Sequence, residues 1–194
     1  MNSKSMEKHF ITANQLPEDS FRLARLVYES GFRPDFIVGV WRGGTPVAIA
    51  VQEYFAFKGI ETDHIAIRTS SYHGIGEQDE TVRVHGTQYL IENVRPHETL
   101  LLVDDVFDSG RSVKAILDVL AIKSGSNMPE TIKVACPWYK PKRNVTTISP
   151  EYYLRETDQW LVFPHELAGL TNDEILLGKQ HLAEDIKADL TSQS

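Results

Sequence analysis

Residues 100–112 read LLLVDDVFDSGRS, and this stretch decides the fold. It begins with an apolar run, Leu100 to Val103, which predicts a buried strand. Three carboxylates and a small-residue turn come next, at Asp104, Asp105, Asp108 and Ser109-Gly110. An amphipathic pattern over residues 112–123 then predicts a helix. The stretch therefore predicts one strand–loop–helix unit of an α/β sheet.

The turn and the carboxylates of this stretch suit different chemical groups. Free backbone N–H groups at a turn and a helix start are suited to phosphate. Carboxylates repel phosphate, but they bind hydroxyls, a metal ion or a developing positive charge. A site with both features fits a phosphorylated sugar that reacts at its anomeric carbon.

The same alternation of strands and helices extends along the chain in both directions. Helices are predicted from Pro17 and from Thr45, the second running to about residue 57. Strands are predicted at residues 35–40, 63–67 and 131–136, and one or two strands, turning near His85-Gly86, at residues 81–91. Residues 70–80 are polar and contain glycine, which predicts a loop. This order predicts an α/β fold with a mainly parallel sheet flanked by helices, and ligands bind at the carboxyl ends of such strands.

The length of 194 residues fits a single domain, residues 1–194. Its core is expected at about residues 30–137. Residues 138–170 are less regular and are expected to form a small accessory hood with the N-terminal residues. The last stretch, residues 179–194, is predicted to be a polar helix or a frayed tail.

Composition narrows the class of protein. The net charge is −7, from 20 basic and 27 acidic residues, whereas nonspecific nucleic-acid binding normally needs a basic face. No apolar run approaches membrane-spanning length, and the N-terminus shows no hydrophobic signal segment. The lone Cys136 fits a reducing compartment. We therefore expect a cytoplasmic protein that binds neither nucleic acid nor membrane and carries local cations for an anionic ligand.

A second loop follows the strand at residues 35–40 and reads Trp41-Arg42-Gly43-Gly44. Glycines allow the backbone to approach a ligand closely. The guanidinium of Arg42 presents several N–H donors to phosphate oxygens. Both loops follow strands, so both are expected at the same edge of the sheet.

The opening stretch resembles the phosphoribosyl-pyrophosphate (PRPP) motif of the type I phosphoribosyltransferases. The matching residues are Val103, Asp104, Asp105, Asp108, Ser109, Gly110 and Ser112. The resemblance implies that the turn Asp108–Ser112, including Ser109, Gly110, Arg111 and Ser112, binds the 5′-phosphate. It also implies that Asp104 and Asp105 bind the ribose hydroxyls and stabilise an oxocarbenium-like transition state. Asp108 would face N7 of a purine and take part in the transfer of its proton.

Two further loops are similar to those of this family. Arg42, Gly43 and Gly44 resemble the pyrophosphate loop, which implies a cis peptide at Trp41–Arg42. Ser71-Tyr72 resembles the start of a loop that closes over the reaction. A lid is chemically reasonable because water competes as a nucleophile for an activated anomeric carbon.

The base-binding segments resemble those of 6-oxopurine enzymes. By position, Lys140 before Pro141 would contact the purine 6-oxygen, while Trp160 would stack on the base and the Leu161 backbone would bind the ring edge. Val162 stands where xanthine-guanine enzymes carry an acid, which favours hypoxanthine. Pro164-His165-Glu166 also departs from the usual pattern, and Glu166 is a candidate to help hold a metal through water.

The resemblance implies a Mg²⁺-dependent enzyme of purine salvage, with Mg²⁺ held by Asp104, Asp105 and the substrate. It would transfer the phosphoribosyl group of PRPP to hypoxanthine, or to guanine or xanthine, as a homodimer. Two alternatives remain: a phosphoribosyltransferase for adenine or a pyrimidine, and a PRPP- or nucleotide-sensing regulator on the same fold. A response-regulator-like acidic pocket is more distant, because the glycine-hydroxyl turn does not suggest it.

Overall fold

The structure is a computed structural model that describes residues 8–72 and 81–192. Its strands are β1 (Lys8–Phe10), β2 (Phe36–Trp41), β3 (Asp63–Tyr72), β4 (Thr81–His85), β5 (Thr99–Val103), β6 (Val106–Phe107), β7 (Thr131–Tyr139), β8 (Tyr152–Glu156) and β9 (Trp160–Val162). Its α helices are α1 (Gln15–Glu29), α2 (Gly44–Phe57), α3 (Gln88–Asn93), α4 (Arg111–Ser124), α5 (Asn172–Gly178) and α6 (Glu184–Ser192). Short 3-10 turns lie at Gly125–Asn127 and Pro141–Arg143.

A seven-stranded sheet in the described residues organises most of these elements. Its strand order is β4-β3-β2-β5-β7-β6, and β8 also pairs with β7. Every pair is parallel except β3 with β4. The predicted α/β fold with a mainly parallel sheet is therefore confirmed.

The central strands are apolar because both of their faces are covered. Leu100 to Val103 in β5 are at most 1% exposed. Leu100 and Leu102 share one core cluster with Val38 of β2, Val134 of β7 and two α4 residues spaced one helical turn apart, Ile116 and Leu120. This packing fixes β2 and β5 side by side, and their carboxyl ends carry the two loops singled out from the sequence.

The chain divides into two compact units, residues 19–158 and residues 1–18 with 159–194. The larger unit contains the seven-stranded sheet. In the smaller unit, β1 pairs in parallel with β9, so N-terminal residues do join the segment around residue 160. Residues 138–158, which the sequence assigned to the hood, belong to the larger unit. The organisation as one functional domain stays a prediction.

Two sequence predictions about the region 63–91 need correction. Of the one or two strands predicted over residues 81–91, one is present, and the extension of strand beyond residue 85 is wrong, because β4 ends at His85 and α3 follows. Gly86 has a φ of 84°, which ends the strand, and Leu90 and Val94 are then buried one helical turn apart. Residues 70–72 belong to β3 rather than to a loop, because they pair with β4. Residues 73–80 of the predicted loop lie outside the described residues.

The strand predicted at residues 131–136 extends to Tyr139, and β6 and β8 extend the sheet beside it. Lys140 follows immediately, and its N–H donates to the carbonyl oxygen of Phe107 in β6 (2.9 Å). The longer strand therefore brings Lys140 beside the loop that begins at Asp104. The tail contains α6, so the polar helix is the one of its two predicted forms that is present. Residues 193–194 lie outside the described residues.

A buried ion pair joins α1 to β8 within the larger unit. Asp19 is 1% exposed and accepts hydrogen bonds from Arg155 at 2.7 and 3.0 Å. Arg22 donates a third hydrogen bond to the same carboxylate (2.9 Å), and the Arg155 guanidinium lies 5.1 Å from the Trp138 ring centre. A buried carboxylate is stable only while such partners compensate for its lost hydration.

Replacing Arg155 with alanine should lower the free energy of unfolding by about 2–4 kcal/mol, because it removes two hydrogen bonds from a buried charge. Chemical denaturation measures this change. Arg25→Ala is the matched control, since Arg25 pairs with Glu29 at the surface, and it should leave the free energy of unfolding almost unchanged. Equal losses in the two variants would contradict the structural role of the Asp19 pair.

Candidate active site

The two predicted loops meet at the carboxyl edge of the sheet. A Cβ on Gly44 would lie 2.5 Å from the carbonyl oxygen of Val103 and 2.7 Å from Cα of Asp104. A Cβ on Gly43 would overlap the Asp105 carboxylate. No side chain fits between the loops at either position, so the glycine pair allows the loop after β2 to lie directly against the acidic pair after β5.

Arg42 lies on this edge beside the glycine turn. The Trp41–Arg42 peptide is cis, which confirms the expectation drawn from the resemblance. Arg42 is exposed, and its guanidinium has no hydrogen-bond or ion-pair partner among the described residues. Its guanidinium is therefore available to an anionic ligand at the mouth of the site.

Backbone N–H groups donate to both carboxylates of the acidic pair. Oδ1 of Asp104 accepts from the N–H of Asp105, and Oδ1 of Asp105 accepts from the N–H of Val106, both at 2.9 Å. Burial, and then the negative charge of Asp105, raise the pKa of Asp104 well above its usual range. A cation or a set of hydroxyl donors placed here would offset that cost.

The turn after the acidic pair has the form of an anion site. Gly110 has a φ of 78° and caps the start of α4. Among the described residues, the N–H groups of Gly110, Ser112 and Val113 have no protein acceptor. These groups border a cavity of about 70 Å³ that is also lined by Asp108 and Ser109. The cavity leaves room for a small ligand beside these amides.

Residues that the sequence did not single out shape this turn. Thr69 on β3 donates from its hydroxyl to Oγ of Ser112 (3.4 Å), and the N–H of Val145 donates to the carbonyl oxygen of Ser109 (3.1 Å). Asn144 and Thr146 lie behind Gly110, where a Cβ would approach them at 2.8 and 2.5 Å. A polar segment after β7 carries no local motif, so only the fold reveals this support.

Asp108 lies between two cations. Nζ of Lys140 donates to Oδ2 (3.0 Å), and Nε of Arg143 lies 2.7 Å from Oδ1 as an ion pair. Lys140 is 4% exposed, so its ammonium is held in a buried position and is not a solvated surface charge. The structure thus brings together two residues predicted to read one edge of a purine.

The remaining predicted site residues fall into two groups. In the larger unit, Ser71 is exposed on β3 opposite Val82, Tyr72 ends that strand, and Arg111 is the half-buried first residue of α4. In the smaller unit, Trp160 is 49% exposed on β9, while Leu161 is buried.

Glu166 also lies in the smaller unit, where Oε2 accepts from the N–H of Phe163 (2.9 Å). This carboxylate closes a turn, and its proposed part in metal binding stays a prediction. In the described parts of the chain, no three His, Cys, Asp or Glu side chains form a cluster able to hold a metal ion. No helix there is both long and apolar enough to cross a bilayer.

Comparison with known proteins shows the family to which the chain belongs. The phosphoribosyl transferase domain family matches residues 13–168. The chain belongs to the phosphoribosyltransferase domain family. The match spans the glycine turn, the acidic pair, the anion turn and Lys140, which are the features that the structure assembles at one sheet edge.

Individual relatives are purine phosphoribosyltransferases of moderate similarity. A hypoxanthine-guanine phosphoribosyltransferase from Lactococcus lactis is 26% identical over 152 residues, covering 77% of this chain and 76% of its own. The crystal structure of a purine phosphoribosyltransferase from Pyrococcus horikoshii is 28% identical, with a TM-score of 0.67, and the alignment covers 85% of this chain and 98% of that one.

A third relative is similar in fold. The structure of a hypothetical protein from Neisseria gonorrhoeae, solved with bound ppGpp, is 20% identical with a TM-score of 0.71, covering 91% of this chain and 97% of that one. This phosphoribosyltransferase-domain protein therefore shares its fold with purine phosphoribosyltransferases and with a nucleotide-bound protein.

The conformation of Gly110 can be tested by a pair of alanine variants. Gly110 and Gly31 both have positive φ values, 78° and 85°, but a Cβ on Gly31 meets nothing within 4 Å. Gly31→Ala should cost about 1 kcal/mol of unfolding free energy from backbone strain alone. Gly110→Ala should cost about 2–4 kcal/mol, because the clash with Thr146 is added.

Chemical denaturation of the two variants makes this comparison. Equal losses of unfolding free energy in Gly110→Ala and Gly31→Ala would show that the turn at Gly110 has room for a side chain. That result would contradict the close packing of residues 144–146 behind the anion site.

Proposed function

We propose that this protein is a purine phosphoribosyltransferase that transfers the 5-phosphoribosyl group from PRPP to a 6-oxopurine, with hypoxanthine favoured. The observation that carries the proposal is the convergence of three features at one sheet edge: unpaired turn amides beside a cavity, a half-buried acidic pair and a glycine turn. The L. lactis and P. horikoshii relatives support the purine class.

The turn around Gly110 and the acidic pair would bind different parts of the sugar phosphate. The 5′-phosphate would accept hydrogen bonds from the N–H groups of Gly110, Ser112 and Val113 at the start of α4. Asp104 and Asp105 would accept hydrogen bonds from the ribose hydroxyls and stabilise positive charge at the anomeric carbon as the bond to pyrophosphate breaks.

Pyrophosphate, the leaving group, would bind to the loop after β2. The unpartnered Arg42 and the amides of Gly43 and Gly44 would bind pyrophosphate oxygens. The carboxylates of Asp104 and Asp105 are hard oxygen donors of the kind that Mg²⁺ prefers, so they would hold this ion together with substrate oxygens. When bound, Mg²⁺ would supply positive charge that neutralises the departing pyrophosphate.

The base edge is matched by the Asp108–Lys140 pair. N7 and the 6-oxygen are neighbours on one edge of a 6-oxopurine, and a carboxylate next to an ammonium complements an N–H beside a carbonyl. Asp108 would accept the N7 proton as N9 attacks the sugar, and Lys140 would donate to the 6-oxygen. Trp160 and Leu161 would complete base binding as the resemblance implies, and Ser71-Tyr72 would begin the lid. The homodimer stays a prediction.

A second candidate is a PRPP- or nucleotide-sensing regulator. The N. gonorrhoeae protein with bound ppGpp favours it, since that protein has the same fold. Such a regulator would bind nucleotide without releasing pyrophosphate. A phosphoribosyltransferase for adenine is the third candidate. Adenine would place its amino group against the ammonium donor of Lys140, which leaves both donors unpaired.

Turnover should be seen as pyrophosphate release from PRPP and hypoxanthine in the presence of Mg²⁺. Asp108→Asn should reduce kcat by about 10²- to 10⁴-fold, because the amide cannot accept the proton. Asp118→Asn is the control, since Asp118 is an exposed residue of α4 paired with Lys114, and its activity should match wild type.

Two results would contradict the proposal. Tight PRPP or nucleotide binding without turnover of hypoxanthine, guanine, xanthine or adenine would identify a sensor. Full activity of Asp108→Asn would remove Asp108 from the proposed chemistry.

Base preference should depend on Lys140. Lys140→Met should lower the ratio of kcat/KM for hypoxanthine to that for adenine by about 10- to 100-fold, because it removes the donor to the 6-oxygen. Lys142→Met is the matched control, since Lys142 is exposed and pairs with Asp158, and it should leave the ratio unchanged. An unchanged ratio in Lys140→Met would show that another residue selects the base.

A further inference from the structure

Lys179 is a buried cation that none of the steps above uses. It is 0% exposed, in the smaller unit, immediately after α5. Among the described residues it has no ion-pair partner. Burial lowers its pKa, and the charge of Glu166 opposes that shift. A buried, unpaired ammonium is costly, so its retention in this core calls for a specific contact.

That contact is the turn after β9. Nζ of Lys179 donates to the carbonyl oxygen of Phe163. The same oxygen accepts from the N–H of Glu166 (3.0 Å), and Oε2 of Glu166 accepts from the N–H of Phe163 (2.9 Å). Three hydrogen bonds, one of them from a cation, therefore hold residues 163–166 in one conformation.

The turn is rigidly connected to the strand that precedes it. Leu161, Val162 and Phe163 are buried, while Trp160 at the start of β9 is half-exposed. β1 pairs with β9, and a Cβ on Gly178 would overlap the ring of Phe10 in β1, so the end of α5 is packed tightly against this sheet. Nζ of Lys179 lies 5.7 Å from the centre of the same ring.

We propose that Lys179 is a positioning residue that fixes the β9 strand and its turn, and thereby sets the affinity for the purine base through Trp160 and Leu161. This inference rests on the proposed function, in which β9 carries the base-stacking residue. It assigns a role in base binding to a residue distant in sequence from every motif of the family resemblance.

Steady-state kinetics with a pair of variants test the role. Lys179→Met removes the donor and should raise KM for hypoxanthine about tenfold while KM for PRPP changes less than about twofold. Ile175→Ala is the control, since Ile175 is a buried residue of α5 without a hydrogen bond to Phe163, and it should lower Tm without changing KM for the base. Lys179→Gln keeps a neutral donor and should recover part of the lost base affinity.

The indole N–H resonance of Trp160, followed by NMR on ¹⁵N-labelled protein, provides a readout that does not depend on turnover. It should shift in Lys179→Met and remain in place in Ile175→Ala. If wild type shows no turnover but this shift occurs, the proposed function fails and the positioning role stands. If Lys179→Met does not fold, Lys179→Gln carries both measurements, with a smaller increase in base KM expected than for loss of the donor.

An unchanged base KM in a folded Lys179 variant, with an unshifted Trp160 resonance, would overturn the inference. Parallel increases in KM for base and PRPP would also overturn it, because they would indicate general loosening of the fold. A Trp160 shift of equal size in Ile175→Ala would lead to the same conclusion.

Discussion

The close approach of the Gly43-Gly44 turn to the backbone of Val103 and Asp104 is the constraint on which the rest of the site depends. Two parallel neighbours, β2 and β5, end at the same edge, and a Cβ on Gly44 would lie within 2.7 Å of backbone atoms there. Because backbone atoms cannot move aside as a flexible side chain can, glycine is required. The contact places a loop that carries the free guanidinium of Arg42 against a half-buried acidic pair.

The separation of donors and carboxylates along that edge suits the proposed polyanionic substrate, although the protein is acidic overall. The net charge is −7, yet the described site has amides at the turn around Gly110 and a guanidinium at Arg42. In the sequence, Asp104 and Asp105 lie between these donors, and the pKa of the Asp104 carboxyl is raised. A substrate with phosphate at both ends and a transient cation in the middle complements that distribution.

The elements that the sequence predicted well are those with a strong local signal. The β5–α4 unit shows an apolar run, a small-residue turn and a helical period, and its observed bounds differ from the predicted ones by one residue at each end. The turn predicted near His85-Gly86 is present, but the residues after it form a helix, and Gly86 with its positive φ separates that helix from β4. The support behind Gly110 from residues 144–146 depends on tertiary packing, for which the local sequence has no pattern.

In the proposed reaction, one sheet edge would hold an activated pentose phosphate by its 5′-phosphate, while Asp104 and Asp105 stabilise the sugar. A crystal structure of the protein with PRPP and Mg²⁺ would show this arrangement. We expect the 5′-phosphate on the amides of Gly110, Ser112 and Val113, and the ribose hydroxyls within hydrogen-bond distance of the two carboxylates. A phosphate bound elsewhere, with that turn closed against protein, would contradict it.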